Sequence, residues 1–211
     1  MADICVIFDL DGTLVDSEAL CNQAFLDLLP ELTVPLDKLV ERYRGRKLAI
    51  ILADLAQHLG APLPKDFERI YRAHVSELFA SSLKPIPGAS KMLDDLDLPI
   101  CIASSGPPAK IRQALQVSGL AHHFGDDVFS SYDVGCWKPD PGLFLYAANE
   151  MGFQPHHCTV VEDSDIGVDA ALAAGMRAFQ FLSGNLHSGH PKAVPFHEMK
   201  RLADLLQTGQ T

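Results

Sequence analysis

Short apolar segments alternate with helical segments along most of this chain, and this alternation restricts its fold more than any other feature. The apolar runs lie at residues 4–8, 100–103, 128–130, 159–161 and 178–182. Helical segments at residues 109–117, 141–151 and 165–174 lie between the later runs and are followed by Gly119, Gly152 and Gly175, residues typical of helix C-termini. Because buried parallel strands are apolar on both faces, the pattern predicts an α/β fold with a parallel sheet and right-handed crossovers.

Residues 16–87 interrupt this alternation. Three segments there, residues 18–29, 39–60 and 66–83, have the periodicity of amphipathic helices, and no strand-like run lies among them. The sequence KPIPG at residues 84–88 marks one linker, and the other is expected near residues 15–17. We therefore predict a Rossmann-like parallel sheet flanked by helices, formed by residues 1–15 and 88–211, and an inserted all-helical cap domain formed by residues 16–87. Two linkers would permit hinge motion of this cap.

The first apolar run leads into VIFDLDGTLVDS, in which a single leucine separates Asp9 from Asp11 and Gly12 follows at once. In an extended chain the two carboxylates point the same way, and Gly12 allows the backbone to turn. Neighbouring carboxylates repel each other, so the pair must bind a cation, share a proton or face water. A solvated turn is the alternative interpretation of this motif taken alone.

Polar residues also follow three later runs, with Ser104 and Ser105 after the second, Lys138 beyond the third and Glu162 and Asp163 after the fourth. Each has an ordinary structural explanation as a turn residue, a surface charge or a helix cap. However, ligands of open α/β sheets bind at the carboxyl ends of the strands. The ordered set therefore predicts one functional site at this edge of the sheet, shared with the two aspartates.

The charge balance limits the partners of such a site. The chain has 17 basic and 27 acidic side chains, and its net charge of −10 opposes binding to nucleic acid and to anionic membranes. No apolar run is long enough to span a bilayer, and the first residues lack the basic start of a signal peptide. Five scattered cysteines without a CxxC pair are typical of reduced thiols. We therefore expect a cytoplasmic protein with no nucleic-acid or membrane partner.

The ordered motifs and the helical insert resemble the haloacid dehalogenase superfamily of aspartate-nucleophile phosphotransferases over essentially the whole chain. The segments DLDGTLVDSE, WKPDP and EDSDIGVDAALAAGM resemble its β-phosphoglucomutase-like branch. Within that branch, SSYDVGCWKPDP and YRGRKL are similar to bacterial 6-phosphogluconate phosphatases. The resemblance implies a Mg²⁺-dependent phosphatase, expected to be a monomer, that hydrolyses a small phosphorylated metabolite. A sugar phosphate or a phosphorylated sugar acid such as 6-phosphogluconate is the expected substrate.

The same resemblance implies the catalytic roles. Asp9 is the expected nucleophile, which forms an aspartyl-phosphate. Asp11 is expected to protonate the leaving oxygen and then to take a proton from the attacking water, a role that requires proton-favouring surroundings. Ser104 and Lys138 are expected to hold phosphoryl oxygens, since phosphoryl transfer requires neutralisation of charge.

The resemblance also implies a metal site and a substrate site. Magnesium is expected on Asp9, Asp163 and the backbone carbonyl of Asp11, with Glu162 orienting a water bound to the ion. The basic stretch ERYRGRKL lies where the family's cap contacts its substrates. Arg46 and Lys47 in this stretch are predicted to pair with an anionic group of the substrate, and Ser105 is assigned with them. For Arg46 and Lys47, a solvated helix end is the alternative.

Sibling activities of the superfamily differ at particular residues. Its dehalogenases and phosphonoacetaldehyde hydrolases lack the second aspartate, so Asp11 disfavours both. Its sugar phosphomutases have a cap-side histidine and a cap-loop arginine at positions that fall on Cys21 and Leu48, which favours hydrolysis. A phosphomutase, and a catalytically silent protein with this fold, remain the alternatives. The segment NLHSGHP at residues 185–191 is predicted to be an exposed loop, and the histidine-containing loop at residues 187–197 is assigned no function.

Overall fold

The computed structural model describes residues 4–183 and 189–208. Its centre is a parallel sheet of six strands in the order β3-β2-β1-β4-β5-β6. The strands are β1 (Cys5–Phe8), β2 (Ile100–Ser104), β3 (Val128–Ser130), β4 (Cys158–Glu162), β5 (Arg177–Phe181) and β6 (Val194–Phe196). The predicted α/β fold is confirmed, and the five predicted strands agree with β1–β5 to within one residue at each end.

The central strand β1 shows why the strands are continuously apolar. Val6 and Phe8 belong to one hydrophobic cluster and Cys5 and Ile7 to another, because successive side chains point to opposite faces of the sheet. Helices cover both faces, so all four side chains are buried.

The described residues contain eleven α-helices and two short 3₁₀ turns (Pro155–His157 and Met199–Arg201). The α-helices are α1 (Glu18–Leu28), α2 (Leu36–Tyr43), α3 (Leu48–Leu59), α4 (Phe67–Ser82), α5 (Ala89–Asp94), α6 (Pro108–Val117), α7 (Ala121–Phe124), α8 (Ser131–Val134), α9 (Gly142–Glu150), α10 (Asp165–Ala173) and α11 (Leu202–Thr208). The predicted core helices are α6, α9 and α10, and the glycine after each has a positive φ, as expected at a helix C-terminus. No helix in the described part of the chain is long and apolar enough to cross a membrane.

The helices α1–α4 form a unit between β1 and α5, and the described residues 16–87 contain no strand of the sheet. The amphipathic segment 39–60 contains two helices, because the chain breaks at residues 44–47 where Gly45 has a φ of 70°. The two linkers run side by side: Asp16 N–H donates to the Lys84 carbonyl (3.0 Å) and Ile86 N–H to the Leu14 carbonyl (2.9 Å). The domain boundaries at 15/16 and 87/88 stay a prediction.

The edge strand β6 corrects the prediction that residues 187–197 form a loop. It is three residues long, and Pro195 at its centre lacks an amide donor, so neither length nor pattern indicated a strand. His190 in this segment is partly buried, and its Nε2 lies 3.3 Å from Asp169 Oδ1. His187 lies outside the described residues.

Candidate active site

A cavity of about 290 Å³ lies over the carboxyl ends of β1, β2 and β4, between the sheet and the helical unit α1–α4. Side chains on the sheet side include Asp9, Asp11, Ser105, Lys110, Lys138 and Asp163. Those on the helical side include Tyr43, Arg46, Tyr71 and Arg72. The acidic and basic residues predicted at the strand ends therefore lie together at one edge of the sheet.

Asp9, the first residue after β1, lies at the floor of this cavity. Its N–H donates to the Val161 carbonyl of β4 (2.9 Å), which fixes the residue relative to the sheet. Lys138 Nζ donates to Asp9 Oδ1 at 2.5 Å and to Glu162 Oε1 at 2.7 Å. All three side chains are buried, so the lysine links two carboxylates away from bulk water.

Glu162 supports the turn that starts α10. Its Oε2 accepts hydrogen bonds from the N–H groups of Asp163 (2.9 Å) and Ser164 (2.8 Å) and from Ser164 Oγ (2.8 Å). The chain also passes very close to this carboxylate: a Cβ on Gly167 would lie 1.8 Å from Glu162 Oε1. Protein donors therefore contact both oxygens of Glu162, which holds Lys138 with one and the turn with the other.

Asp9, Glu162 and Asp163 form a group with the composition of a metal site, because their carboxylate oxygens all lie within 4.8 Å of one another. Burial and the nearby Glu162 raise the pKa of Asp163 well above its usual value, and burial raises the pKa of Asp9 to about 7. The cation that faces Asp163 is Arg44, whose Nε lies 3.6 Å from Oδ2. Hard oxygen donors of this kind suit Mg²⁺, whose charge would offset the repulsion.

Asp11 has different surroundings from those that an acid requires. Its Oδ1 accepts hydrogen bonds from Lys110 Nζ (2.6 Å) and Ser17 Oγ (2.5 Å). Burial alone would raise the pKa of Asp11, but the charge and hydrogen bond of Lys110, together with Ser17, outweigh it and lower the pKa. In the free site Asp11 is therefore held as a carboxylate.

The two serines at the end of β2, Ser104 in the strand and Ser105 after it, occupy different positions. Ser104 is completely buried, and its Oγ accepts a hydrogen bond from Gly106 N–H at 3.1 Å. Among the described residues, Ser105 and Gly106 line the cavity, whereas Ser104 does not. Ser104 thus shapes the loop that carries Ser105.

The basic stretch between α2 and α3 lies over the site. Arg46 is exposed and lines the cavity, and its contact with substrate stays a prediction. The ammonium of Lys47 lies elsewhere, 3.4 Å from the centre of the Trp137 ring, in a cation–π contact. Gly45 packs against the active-site turn, since a Cβ there would lie 2.6 Å from Ser164 Oγ.

Several site residues were not assigned from the sequence, namely Ser17, Glu18, Arg44, Arg72 and Lys110. Arg72 Nη2 donates to the Tyr132 hydroxyl at 2.7 Å and thereby joins α4 to α8. Burial beside Asp11 raises the pKa of Glu18 to about 7. The sequence indicates these residues only weakly: Glu18 and Ser17 adjoin the first motif, and Lys110 lies in the first turn of α6.

Comparison with known proteins agrees with this geometry. A model of the haloacid dehalogenase-like hydrolase family matches residues 5–175. The chain is 37% identical over 205 residues to the 6-phosphogluconate phosphatase of Escherichia coli, covering 95% of this chain and 93% of that protein. It is 31% identical over 176 residues to the fructose-1-phosphate phosphatase of the same organism, covering 82% of this chain and 93% of that protein. The solved structure of a candidate β-phosphoglucomutase from Thermotoga maritima superposes with a TM-score of 0.77 at 25% identity, covering 98% and 99% of the two chains.

Proposed function

The chain belongs to the haloacid dehalogenase-like hydrolases and is a phosphatase of that family, and we propose that it is Mg²⁺-dependent and hydrolyses a small phosphorylated sugar or sugar acid. The observation that carries the proposal is the buried carboxylate of Asp9, which faces the cavity beside Lys138 and Asp163. This arrangement supports Asp9 as the nucleophile, Lys138 as a fixed cation and Asp163 as a metal ligand.

In the first proposed step, an oxygen of Asp9 attacks phosphorus, the bond from phosphorus to the sugar oxygen breaks, and an aspartyl-phosphate forms. Lys138, already 2.5 Å from Asp9 Oδ1, offsets negative charge on the phosphoryl oxygens. Ser105 lines the cavity, and its hydroxyl can donate to the same group. The leaving sugar oxygen requires a proton, which Asp11 supplies in this proposal.

In the second step, Asp11 as a carboxylate takes a proton from water, the water oxygen attacks phosphorus, and the bond from phosphorus to Asp9 breaks. The hydrogen bonds from Lys110 and Ser17 suit this step, since they hold Asp11 in its basic form and fix its direction. For the first step Asp11 must carry a proton. A substrate phosphate that draws Lys110 away would raise the pKa of Asp11 and favour that form.

The residues fit a magnesium ion, with Asp9, Asp163 and the backbone carbonyl of Asp11 as its proposed ligands. The ion would supply positive charge that allows a phosphate to approach these buried carboxylates. Glu162 is proposed to act beside this site by holding Lys138 and the turn at residues 163–164, in place of the expected contact with a bound water.

The cavity supports a small anionic substrate. A volume of about 290 Å³ is at the lower end of ligand pockets. Arg46 and Arg72 line the helical side of the cavity. Arg72 is paired with Glu68 at 2.7 Å, so Arg46 is the proposed partner of a carboxylate on a sugar acid. The relatives act on 6-phosphogluconate and fructose-1-phosphate according to their names, and both are small phosphorylated carbohydrates. Cys21 and Leu48 line the cavity at the two positions that distinguish the phosphomutases, which supports hydrolysis.

The test compares the parent with Asp9→Asn in the release of phosphate from 6-phosphogluconate, fructose-1-phosphate and an aryl phosphate, with and without Mg²⁺. The matched control is Asp16→Asn, the same change at an exposed carboxylate nearby. We expect activity only with Mg²⁺, at background level in Asp9→Asn and at the parent level in the control. Borohydride reduction during turnover should convert Asp9 to homoserine, detectable by mass spectrometry. Turnover by Asp9→Asn at a substantial rate would refute the mechanism.

A further inference from the structure

A second group of potential metal ligands lies away from the active site. Asp94 is the last residue of α5, and His122 and His123 are adjacent in the short helix α7. Their ligand atoms (ring nitrogens and a carboxylate oxygen) all lie within 4.8 Å of one another. The rings of the two histidines face each other, with centroids 3.9 Å apart.

This group is at the opposite end of the sheet from the catalytic residues. Asp94 precedes β2, and the two histidines precede β3, so all three lie towards the amino ends of these strands. The five residues of β2 span roughly 16 Å before Ser104 and the active-site loop. An ion bound here could not be the ion that assists phosphoryl transfer.

His123 gives an independent indication of a binding site. Its side chain is only 10% exposed, and its buried Nε2 has no hydrogen-bond partner among the described residues. The nearest acceptor on Asp94 is 3.6 Å away, beyond the range of an N–H···O hydrogen bond. A buried ring nitrogen without a partner costs free energy, which coordination to an ion would recover.

The ring of His123 is also held in place. It packs against Phe124 with an edge-to-face geometry, and Phe124 in turn packs against Phe8 of β1. His123 therefore cannot swing freely into solvent to satisfy Nε2. His122 and Asp94, in contrast, are exposed and can adjust to complete a coordination shell.

We propose that Asp94, His122 and His123 bind a late first-row divalent cation of the Zn²⁺ type. Two imidazole nitrogens and one carboxylate oxygen are ligands that Zn²⁺ and its neighbours prefer over Mg²⁺, with water in the remaining position. The ion joins the end of α5 to α7 and so ties together the two segments that lead into β2 and β3. Its effect is on stability, and it is separate from the catalytic use of Mg²⁺.

The test measures Zn²⁺ binding to untagged full-length protein by calorimetry, in excess Mg²⁺ so that the active-site carboxylates are occupied. We expect about one Zn²⁺ per chain and a rise in the thermal midpoint on addition of Zn²⁺, because an ion that binds the folded state stabilises it. Removal of one ligand should weaken binding by at least about tenfold, the lower end of what loss of an outer-shell partner costs.

Three single variants test the ligands: Asp94→Asn, His122→Ala and His123→Ala. The first two change exposed side chains, so they remain informative if the third fails to fold. The matched control is the double variant His156→Ala, His157→Ala, which removes another adjacent pair of rings (centroids 4.3 Å apart) that belongs to no metal-ligand group among the described residues. Absence of Zn²⁺ binding, parent-like binding by Asp94→Asn and His122→Ala, or an equal loss in the control would overturn the proposal.

Discussion

Gly167 provides a sensitive test of the active-site architecture, because helix propensity and packing predict opposite effects for Gly167→Ala. Alanine is the better helix former, so propensity alone predicts a more stable α10. In the structure, a Cβ at this position would lie 1.8 Å from Glu162 Oε1, 1.9 Å from its Cδ and 2.5 Å from its Oε2. Gly167 is also inside the buried turn, so the neighbouring carboxylate must move.

Displacement of the Glu162 carboxylate would break an ion pair and several hydrogen bonds. Glu162 Oε1 pairs with Lys138, and Oε2 accepts three hydrogen bonds from the turn at residues 163–164. Breaking a buried ion pair costs about 3–5 kcal/mol, and the gain in helix propensity returns at most about 1 kcal/mol. We therefore expect Gly167→Ala to lower the free energy of unfolding by about 2–4 kcal/mol, or the thermal midpoint by about 4–16 °C for a chain of this length.

Urea denaturation of the parent, Gly167→Ala, Glu162→Ala and the double variant gives the required double-mutant cycle. If the clash is with Glu162, alanine at 167 should cost little or nothing once Glu162 is absent. Phosphatase activity of Gly167→Ala should fall in parallel, because Lys138 loses one of its two carboxylate partners. A variant as stable as the parent, or an equal cost in both backgrounds, would refute this account of the turn.

The remaining predictions concern Arg46 and Lys47 between α2 and α3, the metal and one ion pair. Arg46→Ala should reduce kcat/KM for 6-phosphogluconate by about tenfold or more, the value of a charge-assisted hydrogen bond, and leave kcat/KM nearly unchanged for an aryl phosphate that has no anionic group besides its phosphate. Lys47→Ala should reduce kcat/KM for 6-phosphogluconate less than Arg46→Ala does, because the Lys47 ammonium lies on the Trp137 ring. Equal losses of kcat/KM for both substrates in Arg46→Ala would contradict this reasoning. Mg²⁺ at a hundredfold excess over its Kd should stabilise the parent by about 2.7 kcal/mol, and Asp163→Asn should lose this effect in a thermal shift assay. The hydrogen bond between His74 and Asp27 raises the pKa of His74 and lowers that of Asp27, so their mutual stabilisation is lost as pH rises through the pKa of His74 in the folded protein. His74→Ala should thus lower the free energy of unfolding more at pH 6 than at pH 9, by at most about 1 kcal/mol because the pair is partly exposed. An equal loss at the two pH values would contradict the assigned pairing of His74 with Asp27.

The sequence predicted those parts of the fold that depend on local patterns. Strands β1–β5 are short apolar runs because helices cover both faces of the sheet. Burial on both faces requires apolar side chains at successive positions, and such runs can be recognised in the sequence. Strand β6 lacks that signal, since it has three residues, lies at the sheet edge and contains Pro195. The break between α2 and α3 is also not a local property: Gly45 turns there against Ser164, which is distant in the sequence.

The same distinction explains which active-site residues were predicted. Asp9, Glu162 and Asp163 end or follow strands, and parallel strands bring such positions to one edge whatever the helices do. Lys138 lies in the loop after β3 and α8. Lys110 is on a helix, where the direction of a side chain depends on how the helix packs. Its partner Asp11 lies 99 residues earlier in the chain, so no spacing within either segment indicates the contact. That contact lowers the pKa of Asp11, so the motifs of this chain bring Asp9 and Asp11 to the end of a strand but do not indicate the protonation state of Asp11.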